Sequence, residues 1–347
     1  MRLKAGLGII AASASLALAG CGHGTVIGSG PLPTPTPVIP SVSNEFATTT
    51  ANAQPAGITV GPDGFLYFTE QGAANGKAQI GKISTGGTVT EFPLTPATAQ
   101  PYGIVRGGDN NLWFTEMAAD AIGSMTISGT FNTTYPLGTP PGGAASWKPL
   151  FITTGPGANT MYFTAPGANA IGEITTAGTI SSFVVPTAAS SPMGIVTGPD
   201  LNVWFTENAA SKIARLNPST GTITEFATPT ANAGPSQIVV GPDGAMWFTE
   251  NNVSKLGRIT TTGVATDYAL TDAGSATALV VGADANFYFG DPVKNQFGQA
   301  SISGAFESKV FPIKTASAGP VQFVLGPDQR IYFTENQASK IGQISYF

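Results

Sequence analysis

An apolar stretch ending in Phe-Thr-Glu returns along the chain at nearly constant spacing, and this repeat constrains the fold more than any other feature. The phenylalanines that align are Phe68, Phe114, Phe163, Phe205, Phe248, Phe289 and Phe333, separated by 46, 49, 42, 43, 41 and 44 residues. That is seven copies of a unit of about forty-four residues. In the fifth copy the apolar pieces are residues 237–240, 245–249, 255–259 and 265–268, divided by Gly241-Pro242-Asp243-Gly244 and by Thr262-Gly263. Pieces this short, rich in β-branched and aromatic residues and punctuated by Gly and Pro, read as strands. Four strands per unit at this period predict a propeller blade, and no helical period of 3.6 runs through the repeat.

The last copy reaches Phe347 after its third strand. A matching fourth piece lies at the other end, where Asn44-Glu45-Phe46 precedes the first unit as Thr90-Glu91-Phe92 precedes the second and Thr224-Glu225-Phe226 the fifth. The expected fold is therefore all-β: a seven-bladed β-propeller of four-stranded antiparallel blades over residues 41–347, its ring closed by an N-terminal strand.

The segment before the propeller carries an address. Arg2 and Lys4 precede an apolar and small-residue run at 7–19 that closes on Leu18-Ala19-Gly20-Cys21. This is too short for a membrane span and reads as a signal peptide over residues 1–20. Its end matches the bacterial lipobox, which makes Cys21, the single cysteine, the expected lipidation site and membrane anchor. Residues 21–40 hold Pro31, Pro33, Pro35, Pro37 and Pro40, a composition that favours an extended tether. Gly22 after the cysteine, in place of Asp, leans towards the outer membrane or cell surface of a bacterial envelope.

Charge narrows the partners. Only 10% of the residues are charged, and the formal net charge of −5 becomes −7 once Arg2 and Lys4 leave with the signal peptide. Nucleic acid is excluded as a partner, since phosphate neutralisation needs a basic face. A monomer is expected, with a small polar ligand or a protein bound at one propeller face.

Direction alternates strand by strand in an antiparallel meander. The starts of the first strands, the ends of the second strands and the loops between blades therefore converge on one face. Glu70, Glu116, Glu207, Glu250 and Glu335 end the second strands of five blades. A half-buried carboxylate needs donors, and Lys212, Lys255 and Lys340, each five residues after a Glu, are candidates for that role. A residue repeated in five of seven blades reads first as a structural strand end. It reads second as a metal or polar ring able to offer oxygen ligands to Mg²⁺ or Ca²⁺. Blades three and six depart from the pattern, with Ala165-Pro166 and Gly290-Asp291-Pro292.

The combination Pro-x-Gly-Ile, Gly-Pro-Asp-Gly, Trp-Phe-Thr-Glu and Ile-Gly-x-Ile resembles the virginiamycin B lyase, or streptogramin lyase, family over roughly residues 44–347. The resemblance implies a seven-bladed propeller and, in active members, opening of a cyclic depsipeptide at its ester by elimination. A His is the general base there, and acidic residues help hold Mg²⁺. The family's His stands fourteen residues before the Glu of Phe-Thr-Glu, with a second Glu two residues ahead of it. Here those base positions hold Ala56, Tyr102, Leu150, Met193, Ser236, Thr277 and Val321, and the positions two ahead hold Gln54, Gln100, Lys148, Ser191, Gly234, Ser275 and Gly319. The single His, His23, lies in the tether. Losing a positioned base forfeits roughly 10²–10⁴-fold in rate, so the expectation is a fold kept and a His-dependent chemistry lost.

Symmetry breaks between blades two and three, where the loop 136–150 carries Trp147 and Lys148 towards the face of the Glu ends. With Tyr102 and Met193 at nearby strand starts, these four are the candidate ligand-binding residues; Trp147 packing over its own loop is the alternative. The function expected is a membrane-anchored lipoprotein whose propeller binds a ligand or protein. The rival is an active lyase-like or metal-dependent enzyme that uses channel carboxylates.

Overall fold

The computed structural model describes residues 39–347 apart from 73, 74, 158 and 303. The signal peptide, Cys21, His23 and nearly all of the tether lie outside the described residues.

Seven four-stranded antiparallel sheets follow one another around a ring. Each first strand packs against the first strands of both neighbouring blades, from Pro55–Val60 of blade one round to Pro320–Leu325 of blade seven and back. The fifth blade is representative: Pro235–Val240, Met246–Glu250, Lys255–Ile259 and Ala265–Ala269. Blade two is the least regular. Its fourth strand is reduced to Tyr135–Pro136, and the long loop after it holds a single 3-10 turn, Pro141–Gly143.

The ring closes as the sequence predicts. Ser41–Ala47 is the outer strand of blade seven, antiparallel to Lys340–Ser345, with Phe46 opposite Ile341. Val42 enters the core shared by the last two blades, and Glu45 accepts hydrogen bonds from the backbone and hydroxyl of Thr315 at 2.9 and 2.7 Å.

Why these sequences stack as blades is visible in the second and third strands. The second strand is buried along its whole length, because a neighbouring blade covers each side of it. Its Phe packs towards the preceding blade: Phe68 shares a cluster with Tyr332 and Ile341 of blade seven. Opposite each Phe on the third strand stands Gly or, once, Ala: Phe248 faces Gly257 and Phe205 faces Ala214. A β-carbon at Gly257 would lie 2.0 Å from the Phe248 ring, so the Ile-Gly-x-Ile motif leaves room for the aromatic above it. The aromatic one residue earlier is tied to its turn. Trp247 Nε1 donates to Asp243 at 3.0 Å and Tyr332 Oη to Asp328 at 2.9 Å, which accounts for the recurring Asp of Gly-Pro-Asp.

Candidate functional site

The residue of Phe-Thr-Glu that ties the blades together is the Thr. Thr69 Oγ1 accepts the amide of Gly57 in its own blade at 2.8 Å and donates to the carbonyl of Tyr102 in the next blade at 2.7 Å. The same donation runs from Thr115 to Leu150, from Thr206 to Ser236 and, across the closure, from Thr334 to Ala56, each at 2.7 Å. Thr249 reaches Thr277 at 3.4 Å. The acceptors are the strand-start positions aligned above with the family's base, so this row of hydroxyls sets the backbone of the channel mouth. Sequence reading missed the Thr because the carbonyl it donates to is in another blade.

The Glu lies beside it and points differently. Along a strand successive side chains face opposite ways, so Glu250 shares the side of Phe248, between its own blade and the one before. Glu70, Glu116, Glu207, Glu250 and Glu335 are all fully buried. Burial is the chief reason their carboxyls titrate high: Glu116, Glu207 and Glu250 are pushed up to about 7, and Glu70 and Glu335 to about 8. Neither carboxyl oxygen of Glu116, Glu250 or Glu335 has a hydrogen-bond partner. Glu70 has one, from Gln79 Nε2 at 2.7 Å.

The expected lysine donors bind elsewhere. Lys212 Nζ pairs with Glu225 at 2.8 Å, Lys255 with Asp267 at 3.6 Å and Lys340 with Glu45 at 3.7 Å, all acids of the fourth strand. A lysine keeps its ammonium near water while its stem lies along the blade. The outer acid lets it do so, whereas the buried Glu would demand full desolvation. In blade six the register aligns Asp291 with the Glu position, since Asp291 faces Gln296 as Glu250 faces Lys255. This shorter carboxylate is well served, accepting the amides of Gly274 and Ser275 at 2.6 and 3.1 Å and Gln296 Nε2 at 2.8 Å.

The mouth itself is a cavity of about 280 Å³, lined by Tyr102, Phe151, Met193, Ser236, Asn251, Thr277, Pro292, Pro320, Val321, Asn336 and Gln337 with the backbone of Gly319. Five of the seven strand-start positions are among them. Tyr102 meets Phe151 edge to face, centroids 5.2 Å apart, and burial pushes its phenol up to about 12. No carboxylate, lysine, arginine or histidine is part of this lining.

Tyr102 and Met193 of the four candidate ligand residues therefore reach the cavity. Trp147 does not: only 2% exposed, it packs against the Phe163 ring in the core of blades two and three and donates Nε1 to the Gly138 carbonyl at 3.0 Å. Lys148 is exposed outside the cavity lining, its amide held by Asp120 at 2.8 Å. The large loop gives the indole enough apolar surface to bury it, which overrides the surface placement that its polar neighbours suggest.

Among the described residues no three His, Cys, Asp or Glu side chains converge to hold a metal ion. Hard cations such as Mg²⁺ and Ca²⁺ take carboxylate oxygens. The mouth offers only neutral amide, hydroxyl and backbone oxygens, and the five Glu carboxyls sit one to a blade. The residues present do not fit the Mg²⁺ that the family resemblance implies.

No curated protein sequence matches the chain. A profile described as the Virginiamycin B lyase family matches residues 40–226 and 195–346. Among solved structures, selenomethionine-substituted virginiamycin B lyase from Staphylococcus aureus is 32% identical, with a TM-score of 0.80 over 89% of this chain and all of that one. A streptogramin B lyase is 30% identical, with a TM-score of 0.79 over 88% of this chain and 97% of that one. A catalytically inactive variant of the Staphylococcus aureus lyase with quinupristin matches at 32% identity and a TM-score of 0.80, over 89% of this chain and all of that one. With the profile matching nearly the whole propeller and these structures matching nearly nine-tenths of the chain at 30–32% identity, the chain belongs to the virginiamycin B lyase family.

Proposed function

We propose that this protein is a membrane-anchored lipoprotein whose lyase-like propeller binds a ligand at the channel mouth without His-dependent elimination. One observation carries the reading. The seven strand-start positions hold Ala56, Tyr102, Leu150, Met193, Ser236, Thr277 and Val321, and the cavity that five of them line has no group that titrates near neutrality. General-base catalysis needs a group of suitable pKa within hydrogen-bond reach of the proton it removes; Tyr102, pushed up to about 12, stays protonated. A concave, largely apolar site with a few convergent polar groups is instead what binding requires.

Anchoring rests on Cys21 at the end of the signal-like segment, with the propeller acting as a monomer at an envelope surface. Cys21→Ser should move the protein from the membrane to the soluble fraction; retention of the variant in membranes refutes the anchor.

A second reading has its own support. Carboxyls that titrate near 7, as in Glu116, Glu207 and Glu250, suit proton transfer at neutral pH. On that reading the protein is an active lyase working through a buried Glu. The two part in one assay, incubation of the full chain with a streptogramin B depsipeptide and Mg²⁺. Binding without linearisation supports the first reading. Linearisation that Glu250→Gln or Glu335→Gln abolishes establishes the second.

A further inference from the structure

The large apolar side chains of the mouth come from one run of blades. Tyr102, Phe151 and Met193, from blades two, three and four, make an aromatic and thioether wall on one side. Ser236, Asn251 and Thr277, from the next two blades, add hydroxyls and an amide, and Pro292 with Pro320, Val321, Asn336 and Gln337 completes the lining. Two atoms of this lining are shielded from solvent and have no partner: Thr277 Oγ1 and Asn251 Oδ1. Their neighbours are otherwise engaged, since the Asn251 carbonyl accepts Ser275 Oγ at 3.0 Å and the Thr277 carbonyl accepts Thr249 Oγ1. A buried polar atom left unmet is costly, and these two belong to residues lining one cavity.

We propose that the mouth selects an uncharged ligand that lays an aromatic ring against Tyr102, Phe151 and Met193 and presents an amide group to Asn251 and Thr277. This rests on the binding role argued above and adds the chemistry of the ligand. The edge-to-face Tyr102 and Phe151 pair offers a ring the offset packing that aromatics favour, and Met193 adapts to its outline. A primary or secondary amide supplies both a donor and an acceptor, which answers Asn251 Oδ1 and Thr277 Oγ1 together. Charge is selected against from both sides. An anion finds no Lys or Arg in the lining and a cation no carboxylate, so either loses its hydration without compensation.

The test is calorimetric titration of the full chain at pH 7 with three probes of one shape. These are N-acetyl-tyrosinamide, which is neutral, N-acetyl-tyrosine, an anion, and tyrosinamide, a cation. The neutral probe should bind at least roughly tenfold tighter than either charged one. Asn251→Leu and Thr277→Val should each weaken it roughly fivefold while leaving the melting temperature within a degree or two, as expected for a lost hydrogen bond at a site that folding leaves unmet. A charged probe that binds as tightly, or an affinity indifferent to both substitutions, overturns the selectivity while leaving the mouth as a binding site. Absence of saturable binding by all three overturns the inference. If a streptogramin B depsipeptide also fails to bind, the binding role falls with it.

Discussion

Replacing Glu250 by Gln isolates the cost of burying a carboxyl at a blade junction. Glu250 has no exposed surface, and neither of its oxygens has a hydrogen-bond partner. Burial raises it from 4.5 to about 7; the Asp267 charge adds to the rise and Lys255 opposes it. Because the folded-state value lies above the unfolded one, the folded protein holds the proton more tightly. The stability this gives is complete below pH 4.5 and is lost as the pH climbs through about 7. For a shift from 4.5 to about 7, linkage puts the loss at about 1 kcal/mol by pH 5 and about 3 kcal/mol by pH 8. Glu250→Gln removes the titration but buries an amide whose unmet donors cost about 1–3 kcal/mol at every pH. That constant cancels when two pH values are compared. Urea unfolding at pH 5 and pH 8 should therefore show the variant gaining about 2 kcal/mol on the parent between them. A difference that is the same at both pH values refutes the argument, because it means the carboxylate is solvated or partnered in the folded protein.

Other perturbations test the ring. Deleting residues 41–47 removes Val42 from the core of the last two blades and the Glu45 bonds to Thr315, and should lower the melting temperature sharply; an unchanged calorimetric transition would dismiss the closure. Thr334→Val breaks the bond that joins blade seven to the Ala56 carbonyl and leaves the Gln322 amide unmet, at a cost of about 1–3 kcal/mol in urea unfolding. A variant as stable as the parent would mean the hydroxyl row does not hold the blades. Tyr102→Ala should abolish ligand binding at the mouth while Trp147→Ala should act on stability alone, by about 3–5 kcal/mol for a core aromatic. Binding and thermal unfolding measured on both variants would expose the reverse assignment.

Much of this molecule was legible in its sequence. The period near forty-four, the four short strands, the fourth strand supplied from the N-terminal side and the missing imidazole are facts of pattern and composition. They survive any detail of packing, because strand formation and turns depend on neighbours within a few residues. The mouth positions were also legible by counting back from each Glu, and from Asp291 in blade six, and Tyr102, Met193, Ser236, Thr277 and Val321 do line one cavity.

What each residue touches was decided by the tertiary structure. In Phe-Thr-Glu the sequence draws the eye to the charged residue, yet Thr334 bonds Ala56, 278 positions away in the chain, while the Glu335 carboxyl beside it has no hydrogen-bond partner. Lys212 and Lys340 pass over the near Glu for an outer acid, since desolvation rather than proximity in sequence governs where an ammonium rests. Trp147 lies in the core and not on the face of the Glu ends, and the mouth exists only once first-strand starts from blades two to seven are brought together around the channel. Period and composition act locally and determine which blades form. Partners are set by the curvature that brings distant strands together, and no local pattern encodes that.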